Sequence, residues 1–101
     1  MSELVDELDL PAGRQAQNPM PYYTYAISSL AHNYIYVGIS DNPTRRIAQH
    51  NKGYERTTKP YAPFKELLIE EFQTRAQARE REKYLKSGVG KEFLKEIKNN
   101  K

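Results

Sequence analysis

Alternating apolar and polar positions predict a β-hairpin in the first half of the chain. Residues 22–28 and 34–39 are rich in Tyr, Ile, Val and Thr and place apolar side chains at alternate positions. The segment between them, residues 30–33, has the composition of a turn, so the two strands are expected to pair antiparallel. If Tyr25 pairs with Tyr36 across the hairpin, the two phenol groups are neighbours on one face of the sheet.

Capping signals and helical spacing predict the elements that follow the hairpin. Asn42-Pro43 is typical of a helix start, and this helix is expected to cover residues 43–51. Residues 64–72 are predicted to form a third strand. Thr74-Arg75-Ala76-Gln77 is a capping-box pattern, which predicts a second helix that ends near Lys86. A Ser-Gly-Val-Gly stretch then breaks the chain, and a last helix is expected to bury a stripe made of Val89, Phe93, Leu94 and Ile97.

These elements make one small α/β domain of the α+β type, preceded by an extension. The first ten residues carry four acidic side chains and no basic one, and residues 11–19 have no apolar period and are bracketed by prolines. Residues 1–21 are therefore expected to be disordered or weakly ordered, and residues 22–101 to form the domain. No apolar run approaches the length of a membrane span, so no membrane contact and a cytoplasmic location are predicted.

Composition limits the kinds of site and partner that the chain can have. The chain has 8 Tyr against 3 Phe and no Trp, which suits a small core that opens onto a polar site. Cysteine is absent, which excludes disulfides and thiolate zinc sites. The formal net charge is +3, and basic residues are frequent from Arg45 onward, so a polyanionic partner is favoured.

Glu82 is the first candidate for chemistry. Helical spacing places it on the same face as Ala78 and Leu85, on the apolar side of the second helix. A carboxylate in that position needs a cation, and Mg²⁺ held by one carboxylate, waters and phosphate oxygens would satisfy it. Arg79 is expected on a different face. The alternative is structural, with Glu82 paired to Arg79 or Lys86.

Two further groups suit phosphate chemistry. Arg46 and His50 lie four residues apart and share one helix face; Arg can bind phosphate oxygens and His can exchange a proton with a nucleophile. Gly38 interrupts a β-branched strand on the same face as Tyr36, which leaves a notch where a ligand or backbone can approach. The alternatives are a solvated basic helix and ordinary packing of strand tyrosines such as Tyr25.

The loop at residues 52–63 interleaves cations with hydroxyl groups and an aromatic ring. Such groups contact phosphates and stack on bases, and an ordinary polar loop is an equally good interpretation. The substrate-binding residues predicted here, together with Gly38, are Lys52, Arg56, Thr57 and Lys59.

The ordered set of motifs resembles the GIY-YIG nuclease superfamily, and its small single-domain bacterial members most of all. The resemblance covers roughly residues 22–97 and is carried by Tyr23-Thr24-Tyr25, Tyr36-Val37-Gly38, Arg46 with His50, and Glu82. It implies a three-stranded antiparallel sheet flanked by about three helices. It also implies a metal-dependent endonuclease that uses Mg²⁺ or Mn²⁺ on duplex or branched DNA.

The resemblance assigns a role to each residue. Tyr25 would activate or orient the attacking water, Tyr36 would support it, and Gly38 would make room. Arg46 would stabilise the pentavalent phosphate, and His50 would join the nucleophile network. Glu82 would hold one divalent metal that assists the leaving group.

The chain departs from the family pattern at two points, and two other functions stay open. Tyr23 and Thr24 stand where the family name has Gly and Ile, and the Asn that many members place after the metal-binding helix has no counterpart before Asn99. The alternatives are a DNA-binding module that does not cleave and a basic RNA-binding module. Target choice would come from DNA shape, from the loop or from a protein partner, and repair, restriction and mobile-element roles all fit.

Overall fold

The elements follow the predicted order. A computed structural model of the chain describes residues 20–100, so the predicted N-terminal extension lies outside the described residues except for its last two positions. The elements are β1 (Tyr22–Ser29), β2 (Ile35–Ser40), α1 (Pro43–Asn51), a 3₁₀ turn (Lys59–Tyr61), β3 (Phe64–Phe72), α2 (Arg75–Lys86) and α3 (Gly88–Asn99). The expected three-stranded antiparallel sheet flanked by three helices is confirmed.

The sheet has the order β2-β1-β3, with β1 in the middle. The predicted register was wrong by two residues: Tyr25 lies opposite Gly38, and Tyr36 lies opposite Ile27. The hairpin turn sets this register, because the Ser29 hydroxyl accepts two backbone N–H groups of the turn. A shift of two residues keeps every side chain on its face, so both tyrosines still lie on one side of the sheet.

Local signals in the sequence determine where the helices begin. The Asn42 side chain accepts the backbone N–H of Arg45 at 3.1 Å, and Pro43 occupies the first turn of α1. At α2 the capping box is complete, since Thr74 accepts the N–H of Gln77 and the Gln77 side chain accepts the N–H of Thr74. These contacts satisfy N–H groups that have no partner inside the helix.

Alternate residues of the central strand enter two separate cores. On one face Ala26 packs with Leu85 of α2 and Leu94 of α3. On the other face Tyr25 and Ile27 pack with α1 and with the loop that follows it. This two-sided burial follows from the alternation of side chains along a strand, and it places the tyrosines in the layer that contains α1.

Helix α3 differs from its prediction at its first turn. Val89 was expected to face inward but is 67% exposed, whereas Gly90 is buried. A Cβ at Gly90 would overlap the backbone carbonyl of Tyr84 and lie 2.5 Å from the Cα of Leu85. The inward position is therefore occupied by a glycine because the two helices approach each other backbone to backbone. Phe93, Leu94 and Ile97 pack inward as predicted.

Candidate active site

A buried hydrogen-bond chain joins Tyr25, His50 and Thr58. The Tyr25 hydroxyl lies 2.9 Å from Nε2 of His50, and Nδ1 of His50 lies 2.8 Å from the hydroxyl oxygen of Thr58. All three residues are at most 1% exposed. The Thr58 hydroxyl reaches the carbonyl oxygen of Glu55 at 3.5 Å, so that hydroxyl has an acceptor for its own proton.

The Glu55 carbonyl at the end of this series of hydrogen bonds determines which group donates in each of them. A carbonyl oxygen only accepts, so Thr58 donates to Glu55 and its oxygen is free to accept Nδ1–H of His50. His50 then has an unprotonated Nε2, which accepts the proton of the Tyr25 hydroxyl. The arrangement therefore supports a histidine tautomer with its basic nitrogen on the tyrosine.

Local folding of the loop brings Thr58 to the histidine. Gly53 has φ +79° and turns the chain at the end of α1, a conformation that glycine adopts without strain. The backbone N–H of Thr58 then donates to the carbonyl of Glu55 at 3.2 Å, which closes a tight turn. Thr58 was missed as a functional residue, since nothing in the polar loop distinguishes it from the neighbouring Thr57, which is exposed.

Tyr36 and Gly38 complete the aromatic part of the site. The Tyr36 ring lies 4.7 Å from the His50 ring and 6.1 Å from the Tyr25 ring, centroid to centroid. A Cβ at Gly38 would lie 2.8 Å from the Tyr25 hydroxyl oxygen and 2.9 Å from Cε2 of Tyr36. The notch predicted at Gly38 for a ligand or backbone is instead filled by the two tyrosine side chains, which the glycine allows to pack beside His50.

Arg46 is held beside this cluster by the same loop. Its guanidinium donates to the Glu55 carboxylate at 3.0 Å and to the Gln49 side chain at 2.9 Å. The side chain of Arg46 is 28% exposed, so it borders solvent while the tyrosine and histidine do not. Sequence reasoning did not single out Glu55. Its carboxylate contacts Arg46 and its backbone carbonyl contacts Thr58.

Burial sets the protonation of the site. It raises the pKa of Tyr25 to about 12, with a further rise from Tyr36 and an opposing effect of Arg46. Burial also lowers the pKa of His50 below its usual value, and the positive charge of Arg46 lowers it further. At neutral pH the phenol is protonated and the imidazole neutral, which agrees with the direction of the hydrogen-bond chain.

Glu82 lies on the inward side of α2, as its spacing predicts. Its side chain is only 12% exposed, and α2 buries Ala78 and Leu85 on the same side. The carboxylate pairs with Arg79 at 3.6 Å and with Lys86 at 3.0 Å, so the structural alternative is present, and Arg79 itself is exposed. Lys86 lines the same cavity as Tyr36, which puts this ion pair on the β2 side of the helix.

A comparison with known protein families identifies the domain that these strands and helices form. The family model for the GIY-YIG catalytic domain matches residues 21–96. The chain belongs to the GIY-YIG nuclease family. The match covers all three strands and nearly all of the three helices of this GIY-YIG domain.

Comparisons with individual proteins add less. No curated protein matches the chain. Among solved structures it is similar to a UPF0213 protein from Bacillus halodurans, determined by solution NMR. The two are 27% identical over 78% of this chain and 86% of that one, with a TM-score of 0.47.

The remaining predicted residues of the GIY-YIG domain lie on its surface. Lys52, Arg56, Thr57 and Lys59 are exposed on the loop that carries Glu55 and Thr58, and their contact with a substrate stays a prediction. Between residues 20 and 100 no helix is both long and apolar enough to cross a membrane. Within the same residues, no three His, Cys, Asp or Glu side chains gather into a metal-binding group.

Proposed function

We propose that this GIY-YIG domain is a metal-dependent endonuclease that hydrolyses phosphodiester bonds in duplex or branched DNA in the cytoplasm. One observation carries the proposal: a buried phenol lies within hydrogen-bond distance of a buried imidazole, and an arginine lies beside them at the edge of solvent. Packing alone requires no such order of groups, whereas hydrolysis requires a proton acceptor next to an anion-binding side chain.

Tyr25 acts on the attacking water with the help of His50, and because Tyr25 is 1% exposed in the free protein, this step requires the site to open to water when the substrate binds. With a pKa of about 12 the phenol is not an anion at neutral pH, so it cannot take a proton unless it gives one away. As the water oxygen bonds to phosphorus, its proton passes to the Tyr25 oxygen and the phenol proton passes to Nε2 of His50. The Thr58 hydroxyl holds Nδ1–H and stabilises the imidazolium that forms.

Arg46 stabilises the charge that develops on the phosphoryl oxygens. Its planar guanidinium can offer two parallel donors to a phosphate. In the free protein Gln49 and Glu55 each accept one N–H from a terminal nitrogen of this guanidinium, which orients the group and leaves its other N–H groups for a phosphate. The P–O bond to the leaving oxygen breaks as the new bond forms, and that oxygen departs as an alkoxide that takes a proton from solvent water to give the alcohol end of a strand.

Glu82 fits a divalent cation in its chemistry. Its nearly buried carboxylate already gathers two positive side chains, Arg79 and Lys86, which are 47% and 55% exposed and are free to move away. One carboxylate with waters and phosphate oxygens is a usual way to hold Mg²⁺, and Mn²⁺ takes similar ligands. When bound, the cation supplies charge stabilisation at the leaving oxygen.

A cleavage assay with matched variants tests the proposal. Supercoiled plasmid, a branched DNA duplex and a hairpin RNA are incubated with the full chain and Mg²⁺ or Mn²⁺, with and without chelator. Tyr25→Phe and Glu82→Gln are expected to lose at least about 100-fold in rate. Tyr84→Phe, which removes an exposed hydroxyl from α2, should cleave like the unaltered chain. Cleavage by Glu82→Gln at the full rate would refute the metal assignment alone.

The ion pairs of Glu82 favour a second candidate, a module that binds nucleic acid without cutting it. In that case Glu82 only ties Arg79 and Lys86 to α2. The same assay separates the two functions when binding is measured beside cleavage. Equal binding of DNA with and without chelator, and no cutting under any condition, would establish the binding module. A protein partner that directs the domain to its target fits either function.

A further inference from the structure

Most residues that line a groove beside β2 take no part in the proposed chemistry, and only Tyr36 and Lys86 are shared with the candidate site. The groove has a volume of about 460 Å³ and lies along the open edge of β2, against the end of α2 and one side of α3. Its buried surface is aliphatic and includes Val37 and Leu94. Three exposed lysines border it, and none of the described residues that line it is acidic: Lys86, Lys91 and Lys95.

These features fit an acidic peptide with apolar side chains better than a nucleic acid strand. The tyrosines that reach the groove are already packed, since Tyr34 stacks on Tyr61 at 3.9 Å and Tyr36 contacts His50. Bases are usually held by stacking on aromatic rings or arginine planes, and the aliphatic floor offers neither. An edge strand with a row of unpaired backbone groups is, in contrast, a usual site for the addition of a peptide.

The chain itself contains a segment with this chemistry. Residues 3–10 interleave four acidic and four aliphatic side chains and have no basic one: Glu3, Leu4, Val5, Asp6, Glu7, Leu8, Asp9 and Leu10. Negative charges would meet the three lysines while apolar side chains cover the aliphatic floor. Lys91 carries no ion pair within residues 20–100. At least one of the three lysines can therefore pair with the segment without first breaking an existing ion pair.

The stretch of chain between residues 3–10 and β1 is long enough for the segment to reach the groove. Residues 11–21 separate the segment from the start of β1 and can extend to about 36 Å. The groove lies beside residues that pair with Ala26 and Ser28, four to six positions into β1. That distance is about 13–20 Å along the strand, and the neighbouring strand adds about 5 Å. The segment can therefore reach the groove of its own chain.

We propose that residues 3–10 bind in the groove beside β2 of the same chain. This interaction is independent of the proposed nuclease function, because neither the lysines Lys91 and Lys95 nor the aliphatic floor takes part in the chemistry described above. A ligand held there would lie next to Tyr36, which also borders the groove.

Zero-length cross-linking of carboxylates to amines tests the interaction in the full chain. A carbodiimide is added, and the linked peptides are identified by mass spectrometry. Links from Asp6, Glu7 and Asp9 to Lys91 and Lys95 should exceed links to Lys83 at least about tenfold, because the tether raises the local concentration only where the segment docks. Lys83 is 68% exposed on α2 and does not line the groove, and its own pair with Glu80 serves as the positive reference.

A double variant and an isotope-labelled mixture make the result decisive. Leu4→Ser with Leu8→Ser keeps every charge, so cross-links at the level of the unaltered chain would show mere charge attraction and overturn the proposal. Equal amounts of cross-link from the segment to Lys83 and to Lys91 would also overturn the proposal. In a mixture of ¹⁴N and ¹⁵N protein, links between the two isotopes would assign the segment to a second copy instead. Protection of Lys91 by an added oligonucleotide, with no cross-links to the segment, would assign the groove to nucleic acid.

Discussion

Replacement of Thr58 by Val tests the hydrogen-bond chain at its least expected member. The two side chains have nearly the same shape, so Thr58→Val removes the hydroxyl without opening a cavity. His50 then loses the acceptor of its Nδ1–H at a position with no exposure to water. The perturbation is confined to one polar contact between α1 and the loop.

The cost follows from the burial of both partners. A buried donor left without an acceptor costs about 1–3 kcal/mol, a sizeable share of the roughly 5–15 kcal/mol that stabilises a typical domain. The ring can avoid this cost by moving its proton to Nε2, where it points at Tyr25 and no longer accepts from it. With tenfold in rate for each 1.4 kcal/mol, loss of the correct tautomer slows cleavage by about 5- to 150-fold.

Three measurements on matched variants check this reasoning. Urea unfolding gives the free energy, nicking of supercoiled plasmid gives the rate, and ¹⁵N NMR of the imidazole identifies the tautomer. Thr58→Ser keeps the hydroxyl and should retain most stability and activity, and Thr57→Val alters an exposed neighbour and should change neither. If Thr58→Val is as stable as Thr57→Val and keeps the proton of His50 on Nδ1, Thr58 does not hold the histidine.

Three further predictions concern packing and pH. Gly90→Ala should lower the free energy of unfolding, measured by urea titration, by about 3 kcal/mol, because its Cβ meets backbone that cannot move. Gly88→Ala has open space and should be neutral or slightly stabilising. Equal values for the two variants would refute the close contact between the helices. Gly38→Ala should displace the Tyr25 ring and cost about 1–3 kcal/mol together with most cleavage activity, and unchanged activity would show that the ring has room. The lowered pKa of His50 implies stability that is fully present above the unfolded pKa of about 6.5 and is lost as pH falls toward the folded pKa. The urea midpoint of the unaltered chain should therefore be lower at pH 5.5 than at pH 7.5, and the decrease should be smaller for His50→Gln. An equal decrease in both proteins would show that His50 is not the cause.

Elements that depend on neighbouring residues were predictable. The bounds of α1, the capping box of α2 and the extent of β3 match their sequence signals, because caps and strand alternation act within a few residues. The five site residues named from the family resemblance, Tyr25, Tyr36, Arg46, His50 and Glu82, lie on the strands and helices that the sequence patterns predict. Their chemical roles stay predictions.

Contacts made across the fold were not predictable. The inward place of Gly90 depends on how closely α3 approaches α2, and helical period alone pointed to Val89. The roles of Glu55 and Thr58 depend on how an irregular loop turns back onto α1, and a polar loop has no period that marks its buried members.

The sequence by itself determined the strands, the starts of α1 and α2 and the family, together with the alternation of side chains along the strands. Only the tertiary structure decided the hairpin register, the partner of each polar side chain and the protonation of Tyr25 and His50. The reason is physical: periodicity and capping are properties of consecutive residues. A pKa or a hydrogen bond such as that between His50 and Thr58 depends on burial and distance, which exist only after distant segments have packed together.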